Sequence, residues 1–299
     1  MLLFGAGLHG EAEHGSVSLG YGFITKGHAP VPLQQAEGSG HAVIRRRKMR
    51  YDSWPMRIVR LAAPLALYLL IGLLSMAGSG SYSLAVSLLE KAVCACAMGG
   101  LFLRDSRTIV WERQEFSASA WIAAALLGVF AAIGLNELFA ASGLTKLLSA
   151  DYSTVTQALY HQDLLLEALV LIIAAPLAEE LLFRGVLFRR MRTYCSWLPA
   201  ALITSLIFAA FHGNILQGVY GFLLGMLLTW VYERLHTIWG AVLLHAAANA
   251  ASLLATEWSG LSALISWSPW LSAVVGLAAA AGFGLWLKAA APEQDTYTE

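Results

Sequence analysis

Eight long runs of apolar residues, at about 58–78, 81–103, 119–140, 164–188, 198–212, 215–232, 239–255 and 267–287, dominate the sequence. Continuous runs of this length exceed core strands and predict helices. A helix of ~20 apolar residues spans a bilayer, so the expected fold class is all-α, a polytopic membrane bundle of about eight transmembrane helices. Composition agrees: 58% of the 299 residues are hydrophobic and 13% charged, against about 25% charged in soluble domains. Nineteen basic and nineteen acidic residues give zero formal charge, which leaves no basic field to grip nucleic acid through its phosphates. The partner that composition implies is membrane lipid.

Residues 1–55 are Gly-rich and His-dotted, lack a spanning run, and end in Arg45, Arg46, Arg47, Lys48 and Arg50. This stretch reads as a disordered leader. It lacks the basic n-region that a signal peptide places before its apolar stretch, and Met49 or Met56 is an alternative start beside Met1. The expected organisation is this leader, a helical domain over 56–290 with its polar motifs in about 160–255, and a short polar tail at 291–299. Lys and Arg concentrate in cytoplasmic loops. Arg104, Arg107 and Arg113 follow the second run, Arg189, Arg190 and Arg192 the fourth, Arg234 the sixth and Lys288 the eighth, whereas the opposite loops contain only Lys146. That alternation predicts cytoplasmic termini.

Segment 143–163 is mixed in polarity and reads as a loop or short interfacial helix. Trp197, Trp230, Trp239, Trp258, Trp267 and Trp270 lie near the ends of runs, where headgroup-level anchors belong. Cys94, Cys96 and Cys195 have no disulfide or zinc-finger spacing and read as small buried residues.

Ionisable side chains inside apolar helices are costly and mark function. Glu179, Glu180 and Arg184 lie in the fourth run, His212 ends the fifth, and His245 and Asn249 lie in the seventh. Glu180 and Arg184 are four apart and share a helix face in the favoured order, while Glu179 is rotated by about 100°. Arg184 can therefore neutralise Glu180, and Glu179 is left to act as a base. His245 and Asn249, also four apart, present an imidazole and an amide to one space, a donor pair suited to a developing oxyanion. Asn249 has a second reading as a helix cross-link. If the fourth and fifth helices turn near Cys195, Glu179 and His212 reach the same level, roughly 24–26 Å from the turn at 1.5 Å per residue. Phe208 reads as packing beneath His212. Glu90 and Lys91 are also charged, but adjacent residues do not share a helix face, so each is expected to need its own partner.

The strings Glu179-Glu180-Leu-Leu-Phe-Arg184, Phe208-Ala-Ala-Phe-His212 and His245-Ala-Ala-Ala-Asn249, in this order on successive helices, resemble the CPBP family of CAAX-protease and bacteriocin-processing intramembrane proteases, related to type II CAAX prenyl endopeptidases. The resemblance covers about residues 160–255. It implies hydrolysis of a peptide bond of a membrane-associated peptide or protein, with Glu179 activating water and His212 helping to hold it. His245 and Asn249 would stabilise the oxyanion, and Glu180 with Arg184 would support Glu179. Two His and a Glu are also a donor set for zinc; if a metal is bound, Glu179, His212 and His245 are its ligands. No HExxH pair is present, and the glutamate scheme requires no cofactor. Competing readings are an immunity or scaffold protein on the same fold and a proton-coupled transporter, which the lack of an internal repeat disfavours.

Overall fold

The computed structural model of the chain describes residues 53–79, 83–107, 116–148 and 163–290. Residues 1–52 of the expected leader, including the alternative start at Met49, most of segment 143–163 and the tail lie outside them, while the leader's last two residues, Trp54 and Pro55, open α1. Among the described residues there are ten helices and no strand: α1 (Trp54–Ser79), α2 (Leu84–Ser106), α3 (Ala118–Ala141), the short α4 (Leu144–Leu147), α5 (164–191), α6 (Trp197–Ala210), α7 (Ile215–Leu235), α8 (Ile238–Glu257), the short α9 (Ser259–Ile265) and α10 (Pro269–Ala290). Six of them, α1, α2, α3, α7, α8 and α10, are long and apolar enough to cross a membrane. The other two apolar runs differ in kind, since α5 changes winding along its length and α6 has only 14 residues. The chain is an integral, multi-pass helical membrane protein.

Leu73, Leu89, Ile122, Leu206 and Val274 are exposed on the bundle exterior, the side that lipid covers. Trp239, Trp258, Trp267 and Trp270 are also exposed. Of the three cysteines only Cys94 is buried. Cys96, two residues along the same helix, is turned to the exterior.

Small residues bring helices together where van der Waals contact must replace hydrophobic driving force. On α3, Gly134 meets Gly276 of α10, and a Cβ on Gly276 would lie 2.8 Å from the Gly134 backbone. Phe130 and Phe283 stack beside this contact with centroids 5.4 Å apart. Six residues earlier on α3, Gly128 abuts the Leu244 carbonyl of α8, which fixes the backbone immediately before His245.

The helix α5 alternates between α and π winding: Leu169–Ala174 and Leu181–Phe188 are π-helical, and between them Ala175–Glu180 is α-helical. At its end, the three arginines assigned from sequence to a basic loop are instead buried in helix and turn. Arg190 pairs with Asp105 of α2 at 2.6 Å and donates to the Arg60 carbonyl of α1. Arg192 pairs with Glu233 of α7 at 2.7 Å, and Arg189 donates to Ser106 Oγ at 2.7 Å. These bonds fasten one end of α5 to three other helices.

Candidate active site

Pro176 sets the local structure of α5. In the first π stretch the Ala175 N–H reaches back five residues to the Val170 carbonyl. The next donor in that register belongs to Pro176, which has no N–H, so the Leu171 carbonyl is left without a backbone donor. Asn249 of α8 supplies one, its Nδ2 lying 2.8 Å from Leu171 O. The helix-tying reading of Asn249 is thus realised in the structure. π-Bulges of this kind recur at functional sites, and this one lies directly before the glutamates.

Glu180 is fully buried. Its Oε1 accepts from Arg184 Nη1 at 2.8 Å and faces His245 Nδ1, also at 2.8 Å. Arg184, 1% exposed, also donates from Nη2 to the Gly225 carbonyl of α7 at 3.0 Å. A Cβ on Gly225 would crowd this guanidinium at 3.3 Å, so the glycine makes room for it. The pairing of Glu180 with Arg184 expected from their spacing is present.

Glu179, its side chain 20% exposed, points elsewhere and brings Oε2 to 4.0 Å from His245 Nε2. His245 therefore lies between the two carboxylates, bonded to the buried one and facing the more open one. This differs from the simple picture of His245 and Asn249 as a matched donor pair: each already has a protein partner on α5.

Phe208 does more than pack beneath His212. Its ring stands edge-on to His212 at 4.8 Å, His245 at 5.9 Å and Phe183 at 4.9 Å, and the Arg184 guanidinium lies 4.7 Å over it. His212 lies in the turn after α6 rather than within the helix. Its Nδ1 is 2.9 Å from the Phe208 carbonyl. Gly213 follows with φ 74°, a left-handed conformation that glycine adopts without strain, and Asn214 then caps α7 by accepting from Gln217 N–H at 2.8 Å. Gly221 of α7 leaves space for the His212 ring, which a Cβ there would meet at 3.3 Å.

Glu179, Glu180, Arg184 and His245 are thus linked by direct polar contacts across α5 and α8; Asn249 bonds α5 at the Leu171 carbonyl, and His212 joins through the Phe208 ring. Among the described residues no group of three or more His, Cys, Asp or Glu side chains is placed to hold a metal ion. His245 Nδ1 is engaged by Glu180 and His212 Nδ1 lies against the Phe208 carbonyl, partners of the kind that orient an imidazole and leave its Nε2 open to the site.

Sequence reasoning assigned no role to Lys91 and did not mark Tyr68. Contrary to expectation, Lys91 bonds its neighbour Glu90 at 3.1 Å, since two long side chains can curl toward each other. Lys91 also donates to Tyr68 Oη at 3.1 Å, and both Tyr68 and Lys91 interact electrostatically with Glu179.

A stretch of 98 residues is 41% identical to a protein of Escherichia coli named "Uncharacterized 24.3 kDa protein". The match covers 31% of this chain and 45% of that relative, so the chain spans under half the relative's length. No solved structure matches the chain. Residues 161–251, which contain the two glutamates, Arg184, both histidines and Asn249, match the family model described as Type II CAAX prenyl endopeptidase Rce1-like, the likeness that the three motifs carry.

Proposed function

We propose that the protein is an intramembrane endopeptidase that hydrolyses a peptide bond of a membrane-associated substrate, of which a prenylated CAAX-type chain is the first to test. The observation that carries this reading is the arrangement of Glu179, His245, Glu180 and Arg184. It is a connected set of ionisable groups packed inside an apolar bundle, where each would be costly without a role, and it lies in the segment that resembles the endopeptidase family.

Glu179 acts as general base. It takes a proton from water as the water oxygen attacks the carbonyl carbon of the scissile bond, then delivers that proton to the departing amine nitrogen. The 4.0 Å between Glu179 Oε2 and His245 Nε2 is a separation that one oxygen atom, about 2.8 Å from each, can bridge. His245, with Nδ1–H donated to Glu180, presents Nε2 to the oxygen on which charge develops. The form that stabilises that oxygen is the imidazolium, which donates from both ring nitrogens. Arg184 holds Glu180 in place from the opposite side. His212, oriented by Phe208 and Gly221, helps to hold the water, and Asn249 steadies the π turn while its remaining N–H serves the oxyanion. The alternation of Lys and Arg between successive loops supports termini on the cytoplasmic side.

In Glu179→Ala, cleavage is expected to fall at least about a thousandfold, the range of a lost general base or more, with an unchanged thermal unfolding midpoint. Peptides in membranes of cells carrying the wild type or this variant provide the comparison. Identical peptide profiles, or undiminished biological activity of the variant, would overturn the reading in favour of a scaffold. Purified protein is expected to keep its activity after chelation.

A further inference from the structure

The scheme above leaves an ion pair unused inside the bundle. Lys91 of α2 bonds Glu90 and Tyr68 at 3.1 Å each, and its ammonium lies 5.0 Å from the Tyr68 ring centroid. Both charged side chains are largely enclosed, at 18% and 16% exposure. Taking such a pair out of water is costly, and in lipid-facing helices ionisable groups are retained where they serve a site.

The surroundings indicate which site. Helix α2 packs along all of α5 from 164 to 188, including the Ala175–Glu180 stretch. The Tyr68 ring stands edge-on to Phe211, the residue before His212, at 6.0 Å, and Phe211 in turn meets Phe183 at 5.4 Å. Glu179 has His245 of α8 at 4.0 Å, and α2 packs on the Ala175–Glu180 stretch that carries it, so that its charge bears on Lys91 and Cys94 of α2 and on Tyr68 of α1. Arg184 is tied to Glu180 and the Gly225 carbonyl, whereas Lys91 approaches from a different helix. A tyrosine hydroxyl that accepts from an ammonium still has its own proton to donate, so Tyr68 can pass the attraction toward an acceptor on the site side.

We infer that Lys91, held by Tyr68 and Glu90, is an electrostatic positioning residue that fixes the Glu179 carboxylate from the α2 side, a role that rests on the hydrolase reading.

The test uses the full chain in membranes. Peptides that differ between wild type and Glu179→Gln identify the cleaved bond, and a synthetic peptide spanning it then serves as substrate. Lys91→Met is expected to lower kcat at least tenfold with KM within twofold, Lys91→Arg to keep most of the activity, and Tyr68→Phe to fall between them. Because Lys91→Met strands Glu90, the double variant Lys91→Met with Glu90→Gln removes both charges and keeps the comparison valid if the single variant fails to fold. Loss of kcat in the folded double variant, with rescue by Lys91→Arg, supports the inference. Wild-type kcat in the double variant overturns it while leaving the hydrolase reading intact. No peptide difference between wild type and Glu179→Gln overturns both.

Discussion

The seam between α3 and α10 and the junction of α5 with α8 are both helix contacts inside one bundle, yet they are held by opposite means. At the seam, Gly134 and Gly276 let two backbones touch, and Phe130 stacks on Phe283. No charge takes part in that contact. At the junction, a helix that changes winding carries a buried arginine and glutamate, and a histidine and an asparagine from α8 bind to it. Close apolar packing secures a membrane bundle without ionisable groups. The junction therefore pays for something other than stability.

Arg184→Met breaks that contrast most severely. It leaves Glu180 buried with His245 as its one bonded side chain, a change of the kind that costs about 3–5 kcal/mol, and cleavage should be lost as well; denaturant unfolding in detergent reads the first and peptide release the second. At the seam, Gly276→Ala should cost about 1–3 kcal/mol, because overpacking displaces backbone, while turnover per folded molecule stays at the wild-type level. A fall in that turnover would mean that the seam and the site are one mechanical unit.

Asn249→Leu has the smallest expected effect and sharpens the contrast furthest. Stranding the Leu171 carbonyl should cost about 1–2 kcal/mol. Pro176→Ala restores a backbone donor, so the cost of removing Asn249 should shrink in the double variant, a coupling that a thermodynamic cycle measures. A purely oxyanion-binding Asn249 would lower kcat and show no such coupling.

The two regions were unequally legible. Apolar runs alone outline the seam's helices, and i, i+4 spacing is enough to pair Glu180 with Arg184 because helix geometry places them together. The winding of α5 was hidden, since an α and a π turn carry the same residues and differ in which carbonyl each N–H reaches; Pro176 was the available signal. The approach of Lys91 and Tyr68 to Glu179 was hidden for another reason. It depends on how α1 and α2 pack on α5, and no spacing along the chain encodes that. Phe208 was seen as packing, but its contact with Arg184 and both histidines needs three segments, α5, α6 with its turn, and α8, to be in place.

The 14 residues of α6 extend only about 21 Å at 1.5 Å per residue, well short of the ~30 Å hydrocarbon thickness. Leu198, Leu202, Ile203 and Leu206 form its exposed flank, so the lipid beside it must meet a helix too short for it. Bilayers adapt to such mismatch by local thinning. Thinning of that kind would lie along α6, whose last turn runs out at Ala210, two residues before His212.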